Sequence, residues 1–183
     1  MGKVYDGLDQ ALTRFIRAQH MFFVATAPLD CGGHINLSPK GLDTFRILDP
    51  KTVAYVDLTG SGIETASHLR ENGRIVVMFC AFAGAPKILR LHGRGEVIEP
   101  NHPRFRDYDS MFPHFEGVRA IIVVLLERIS DSCGYGVPLY RYEGGRTQLA
   151  AWARRKGIDG LAEYRAKNNR ASIDGLPGLS DNS

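Results

Sequence analysis

Six short runs rich in valine, isoleucine, phenylalanine and tyrosine constrain the fold of this chain more than any other feature of its sequence. Glycine and proline bound the runs, which is typical of β-strands joined by turns. The predicted strands are residues 21–26, 34–38, 52–58, 74–82, 87–98 and 118–130. Six strands with few helices between them favour an antiparallel barrel or sandwich over a doubly wound parallel sheet.

Helices are predicted at the flanks of these strands. The first helix is predicted near the N-terminus, where apolar residues have the i, i+3, i+4, i+7, i+8 spacing of one buried helical face. These residues are Leu8, Ala11, Leu12, Phe15 and Ile16. Ser61 and Glu64 have the spacing of a capping box, which predicts the start of a second helix, and Gly73 stands where a left-handed C-cap would end it. Further helices are predicted at residues 103–111, 147–156 and 160–167.

Glycines also indicate how neighbouring strands are connected. Residues 82–86 lie between two strong strand patterns and have the composition of a hairpin loop, so the two strands should be antiparallel. Gly93 and Gly95 lie inside a strand pattern, where glycine more often marks a β-bulge than a phosphate-binding loop.

Composition limits the classes of protein to which the chain can belong. Its 183 residues, 44% hydrophobic and 23% charged, have the composition of a globular protein with one domain or at most two. The longest apolar run, residues 120–126, is far shorter than the roughly 20 residues of a membrane-spanning helix. A net charge of +3 is too small to indicate nucleic-acid binding. We expect a cytoplasmic protein with neither a membrane nor a nucleic acid as partner.

Metal sites and the common hydrolase and kinase motifs are not indicated. The six histidines form no HExxH motif, and the three cysteines, Cys31, Cys80 and Cys133, form no CxxC pair. The chain has no GxSxG elbow and no Walker loop. We therefore expect no metal site.

The C-terminal third has a charge pattern and a tail of its own. Between residues 139 and 170 there are eight basic residues and three acidic ones. Such a window is either a solvated helical face or a surface directed to an anion. The tail at residues 172–179 carries Ile173, Leu176 and Leu179, which could anchor it on the body of the protein or on a partner subunit.

Polar residues at the ends of two predicted strands are the candidates for chemistry. Asn36, Ser38 and Lys40 close the second strand, and residues 57–61 close the third and lead into the capped helix. Arg90 lies inside an apolar strand, where a guanidinium group needs an anionic partner. These residues either satisfy strand ends with hydrogen bonds and a salt bridge, or surround a phosphate at the helix N-terminus.

Three segments follow one another along the chain. After the N-terminal helix come His34-Ile35-Asn36-Leu37-Ser38-Pro39-Lys40-Gly41 and then Thr52-Val53-Ala54-Tyr55-Val56-Asp57. Residues 87–97 form a later long strand with Arg90 as its basic residue. In this order the three segments resemble the pyridoxamine 5′-phosphate oxidase-related, FMN-binding split-barrel family. The resemblance covers roughly residues 8–130, and the C-terminal segment looks like an uncharacterised subgroup.

The resemblance implies an α+β, mainly β fold: a six-stranded antiparallel split β-barrel with flanking helices. It implies a homodimer with FMN at the subunit interface. It also implies that residues 1–132 form the FMN-binding domain, and that residues 133–183 form a helical extension and tail packed on it. By the same resemblance the flavin would be bound by Asn36, Ser38, Lys40, Asp57, Leu58, Thr59, Ser61, Thr65 and Arg90, with Ser61 and Thr65 meeting the phosphate.

One departure from the family pattern leaves the cofactor open. Members usually carry an Arg or Lys pair before the second helix, whereas this chain has Glu64 and Thr65. We hypothesise an FMN-dependent oxidoreductase acting on an unidentified small molecule, with no catalytic residue assigned. The alternative is a non-catalytic carrier or sensor that holds flavin, a deazaflavin (F420) or haem, for which His68 or His92 would be the axial ligand.

Overall fold

The computed structural model describes residues 2–180, so Met1 and the last three residues of the predicted C-terminal extension lie outside it. The described chain has eight strands and four helices. The strands are β1 (Val4–Tyr5), β2 (Phe22–Thr26), β3 (Asn36–Lys40), β4 (Phe45–Asp49), β5 (Thr52–Leu58), β6 (Arg74–Cys80), β7 (Ile88–Ile98) and β8 (Val118–Ser132). The helices are α1 (Gln10–Arg17), α2 (Glu64–Asn72), α3 (Phe105–Asp109) and α4 (Gln148–Asn168).

All the strands join one antiparallel sheet in the order β3-β2-β6-β7-β8-β5-β4, with β1 added to β8. The mainly β, antiparallel fold with flanking helices is therefore confirmed, and each predicted run overlaps a strand, although β3 begins and ends two residues later than predicted. The sheet has eight strands rather than the predicted six, because β1 and β4 were missed. β1 has two residues, and β4 has only two consecutive apolar residues, Ile47 and Leu48, so neither forms a recognisable run.

The sheet curls so that its two ends approach each other around a core, although the edge strands β3 and β4 are not paired. Phe22 of β2 packs edge-on against Phe45 of β4 with ring centroids 5.1 Å apart, although the two strands lie far apart in the strand order. Leu8, Leu12 and Ile16 complete this core with Phe15 packed against it, which confirms the predicted apolar stripe except at Ala11, which is exposed. Burying each large apolar side chain contributes on the order of 2 kcal/mol.

Strand β5 is buried on both faces, which explains its nearly continuous apolar sequence. Val53 and Tyr55 face the inner core, whereas Ala54 and Val56 pack in a second cluster that includes Phe112. Because side chains alternate along a strand, Asp57 shares the inner face with Tyr55, and Leu58 has the outer face. This alternation places a carboxylate at the inner end of β5.

The predicted hairpin and bulge are both present. Residues 81–87 connect the antiparallel strands β6 and β7. The register of β7 against β8 shifts between His92 and Gly93. A Cβ atom at Gly93 would lie 2.1 Å from the carbonyl oxygen of Leu125, so only glycine allows the two backbones to approach this closely.

The predicted capping box is wrong. Helix α2 begins at Glu64 with Ile63 as its N-cap, and no side chain caps its N-terminus. Asn169 donates to the carbonyl oxygens of Gly60 and Ser61, at 2.9 and 3.4 Å, and so holds the preceding loop away from the helix end. The C-cap prediction is confirmed, because Gly73 has a left-handed backbone with a φ of 71°.

The other helix predictions hold with adjusted bounds. Helix α3 is shorter than predicted, and the two C-terminal helices form the single element α4, which is kinked at Gly157 with a φ of 68°. After α4 the tail folds back, and the backbone N–H of Leu179 donates to the carbonyl oxygen of Asn169 at 2.9 Å. Asp174 in the tail accepts a hydrogen bond of 2.8 Å from the backbone N–H of His34, so the tail contacts the body of its own chain. No helix among residues 2–180 combines the length and apolarity needed to cross a membrane.

Candidate functional site

A buried ionic cluster lies at the inner end of β5. The ammonium of Lys40 donates to Asp57 Oδ1 at 2.7 Å, and Arg119 Nε donates to Asp57 Oδ2 at 2.8 Å. Asp57 and Arg119 are almost fully buried, and Lys40 keeps about a fifth of its side chain exposed. Burial raises the pKa of Asp57, but the charges of Lys40 and Arg119 outweigh it and bring this pKa down to about 2. The carboxylate therefore stays ionised at neutral pH and positions both cations.

Arg119 also fastens this cluster to the C-terminal part of the chain. Its Nη1 donates to the carbonyl oxygen of Gly60 and to Asn169 Oδ1, both at 3.2 Å. Sequence reasoning missed Arg119 and Asn169 as parts of the site. Arg119 stands beside a long apolar run, the same signal that singled out Arg90, whereas nothing in the sequence marks Asn169.

A second group of polar side chains lies along β3 and against α2. Asn36 Nδ2 donates to Thr65 Oγ1 at 3.0 Å, and Ser38 Oγ donates to Asn36 Oδ1 at 3.0 Å. Thr26 Oγ1 forms a hydrogen bond of 2.9 Å with Nδ1 of the fully buried His68. Burial lowers the pKa of His68 despite nearby acidic groups, so the ring is neutral at pH 7. Its Nε2 is buried and has no hydrogen-bond partner among residues 2–180.

The C-terminal tail brings a carboxylate to this group. Asp174 accepts a hydrogen bond of 2.8 Å from the backbone N–H of His34 and pairs with His34 Nδ1 at 2.6 Å. The hydrogen bonds from His34 lower the pKa of Asp174. Glu64, the first residue of α2, accepts from the backbone N–H of Ile173 at 3.4 Å. The region around the first turns of α2 is therefore acidic.

The structure brings five of the nine predicted residues together. Asn36, Ser38 and Lys40 are paired with inward-facing residues of β2 and share their face, because directly opposed residues in a sheet point the same way. The fourth and fifth residues, Asp57 and Thr65, contact this row. These five side chains form what we call the strand-end site.

Three predicted residues close to this site in sequence point elsewhere. Leu58 packs on the outer face in the second hydrophobic cluster. Thr59 is buried, and its hydroxyl donates to the carbonyl oxygen of Gly117 at 2.7 Å. Ser61 is exposed and does not cap α2.

Arg90 lies on the other face of the sheet. It is paired with Met78 on β6, and Met78 is paired with Phe23 on β2, so these side chains share one face. That face is opposite to the one of Phe22 and Lys40, because neighbouring residues alternate. Arg90 Nη1 instead donates to Ser132 Oγ at 3.0 Å. Within one chain, Arg90 therefore does not contribute to the strand-end site.

Comparison with known proteins places the chain in a family. A family model described as pyridoxamine 5′-phosphate oxidase matches residues 8–129. The chain belongs to the pyridoxamine 5′-phosphate oxidase family. One member, the pyridoxamine 5′-phosphate oxidase family protein ustO of Aspergillus flavus, is 43% identical over 192 aligned positions, which cover 96% of this chain and 77% of ustO.

Solved structures share the fold at lower identity. A HupZ variant from Group A Streptococcus superposes with a TM-score of 0.53 at 23% identity, over 68% of this chain and 99% of that protein. A protein from Lactobacillus delbrueckii superposes with a TM-score of 0.52 at 16% identity, over 69% of this chain and 98% of that protein. These likenesses concern the family fold alone.

The strand-end site fits one part of FMN and not the other. Asn36, Ser38 and Lys40 present amide, hydroxyl and ammonium groups, which suit the carbonyl and hydroxyl groups of a flavin ring and its ribityl chain. The phosphate does not fit at α2, where Glu64 and the nearby Asp174 add anions.

The histidines proposed for haem differ in their surroundings. His68 has no exposed surface, so it could reach an iron atom only if α2 or the tail moved. His92 is half-buried, and burial and the neighbouring Arg128 and Arg90 lower its pKa. Among residues 2–180, no group of three or more histidine, cysteine or acidic side chains is placed to hold a metal ion.

Proposed function

We propose that this chain binds a flavin at the strand-end site and is a flavin-dependent oxidoreductase acting on a small molecule. The observation that carries the proposal is the row formed by Asn36, Ser38 and Lys40 on one face of β3, with Lys40 anchored by the buried Asp57. Membership of the pyridoxamine 5′-phosphate oxidase family supports it independently.

The Lys40–Asp57–Arg119 cluster is suited to a ring that becomes negative on reduction. A bound flavin supplies a ring system that accepts and returns hydride. The cluster joins two cations to one carboxylate, so it keeps one net positive charge at the sheet edge. Asp57 uses only one of the three N–H donors of Lys40, and the others can be directed toward a ligand. Asp57 and Arg119 are therefore positioning residues for Lys40.

A homodimer with the flavin between its subunits agrees with the surface of β3. Ile35 and Leu37 alternate with the site residues Asn36 and Ser38, and they are 79% and 64% exposed. Adjacent exposed apolar side chains beside a polar site are typical of a protein–protein interface. A second copy of this chain would cover them at the edge of the sheet, on the face of β3 opposite to Asn36 and Ser38 and next to the site.

The test of flavin binding is the visible spectrum of the purified protein after incubation with a flavin and removal of unbound flavin on a desalting column. We expect retained flavin absorption, which NAD(P)H or dithionite bleaches. Lys40→Met should raise the flavin Kd at least tenfold, whereas Lys51→Met, a change of an exposed turn lysine, should not. A colourless wild-type protein would contradict flavin binding. Bleaching by dithionite without any turnover would favour a carrier over an oxidoreductase.

A further inference from the structure

The C-terminal segment, residues 169–176, covers the N-terminal turns of α2. Asn169 Nδ2 donates to the carbonyl oxygen of Gly60 at 2.9 Å, immediately before the helix. The backbone N–H of Ile173 donates to Glu64 Oε1, and Ser67 Oγ donates to the carbonyl oxygen of Leu176, both at 3.4 Å. The region that the sequence predicted for a phosphate is therefore in contact with the chain's own C-terminal residues.

Two carboxylates stand in that region. Glu64 opens α2, where an acidic side chain interacts favourably with the free N–H groups of the helix. Asp174 is 17% exposed and is held at both oxygens by His34. An incoming phosphate would meet two anions here.

The cations near the site are directed elsewhere. Of the two that the sequence offered for a phosphate, Lys40 binds Asp57 and Arg90 lies on the opposite face of the sheet. Arg119 also binds Asp57. His68 is buried and neutral, so it adds no charge that would attract an anion.

We infer that this site selects a flavin with an uncharged side chain, of the riboflavin type, and that Glu64 and Asp174 are the specificity-determining residues that exclude a terminal phosphate. This inference rests on the proposed flavin binding and specifies which class of flavin the site binds. The Asp174 carboxylate satisfies the His34 N–H that could otherwise donate to a phosphate oxygen.

Riboflavin and FMN differ only in the phosphate, so the ratio of their dissociation constants isolates this inference. We expect fluorescence titration of the full-length protein to give a Kd for riboflavin at least tenfold lower than the Kd for FMN. Equal affinities, or tighter binding of FMN, would overturn the inference and leave flavin binding intact. Failure of both flavins to bind would overturn the proposed function, and the inference with it.

Charge-neutralising variants test the two named residues. In Asp174→Asn and in Glu64→Gln, the ratio of the FMN Kd to the riboflavin Kd should fall at least threefold, with the riboflavin Kd within twofold of wild type. Asp159→Asn, which changes an exposed carboxylate on α4, is the matched control and should leave the ratio unchanged. Because riboflavin is measured on the same variant, a folding defect weakens both ligands and does not mimic a change in the ratio. An unchanged ratio in both test variants would refute the role of these carboxylates.

Discussion

Asp57 shows how one residue combines a structural and a chemical role. A buried carboxylate would be costly alone, but Lys40 and Arg119 bind both of its oxygens. Replacing Asp57 by an apolar residue would leave Arg119 buried without its counter-ion. At the residue scale, the position of Lys40 therefore depends on this pairing.

The pH dependence of stability follows from the lowered pKa of Asp57. Its ordinary value is 3.8, and in the folded chain it is about 2. The ionised form then contributes about 2 kcal/mol to the free energy of unfolding at neutral pH. This contribution is complete above pH 4 and is lost as the pH falls from about 4 to about 2. Denaturant titrations between pH 6 and pH 2.5 measure it.

Asp57→Asn supplies the comparison for this titration. The variant should be less stable than wild type at pH 6, and the difference should shrink as the pH approaches 2.5, because wild type loses its ionised carboxylate there. A difference that stays constant across this range would show that the ionisation of Asp57 does not contribute to folding.

At the scale of elements, the pairing of β7 with β8 depends on the bulge at Gly93. The two strands are the longest in the described chain, and the bulge changes their register midway. On the C-terminal side of the bulge, β8 is paired with β1. On the N-terminal side, β8 is paired with β5, which carries Asp57. A local change at Gly93 therefore reaches the site through the sheet.

Gly93→Ala should destabilise the protein by about 3 kcal/mol, because the new Cβ would lie 2.1 Å from a backbone carbonyl oxygen that cannot move alone. Thermal unfolding followed by circular dichroism measures the loss. The matched control is Gly136→Ala, because a Cβ there would have no heavy atom within 4 Å. Equal melting temperatures for Gly93→Ala and wild type would mean that the strands separate easily at the bulge.

At the scale of the whole molecule, the strand-end site opens at one edge of the curled sheet. Its edge strand β3 has no hydrogen-bonded neighbour beyond it among the described residues. The exposed Leu37 of this strand, and Ile35 just before it, alternate with the polar row and lie on the opposite face of the strand. This arrangement leaves an apolar surface next to the site that a second subunit can cover.

We expect the chain to sediment as a dimer at micromolar concentration and Leu37→Asp to shift it toward monomer by at least tenfold in Kd. A charged residue replaces an exposed leucine, so the isolated fold should tolerate the change. Ile158→Asp, at an 85% exposed site on α4, serves as the control. Analytical ultracentrifugation of the three proteins distinguishes the cases. A wild-type monomer that still binds flavin would place the site within one chain.

Much of the fold was predictable because it depends on local patterns. Alternation, glycine punctuation and the apolar stripe of α1 are properties of neighbouring residues, and the six main strands, the hairpin and the bulge followed from them. β4 was not predictable, because its short apolar run becomes a strand only by pairing with β5. The capping box failed because Asn169, more than a hundred residues away, holds the loop at Ser61.

The sequence by itself determined the family, the strand order in the chain and the polar row on β3, since each depends on residues close together in the sequence. Only the tertiary structure decided which residues share the site. The register of the paired strands puts Arg90 and Lys40 on opposite faces of the sheet. The pairing of β5 with β8 brings Arg119 to Asp57. The tertiary structure also brought Asp174 to His34 by folding the tail back. These contacts span 50 or more residues, or depend on register, and neither is encoded in a local pattern.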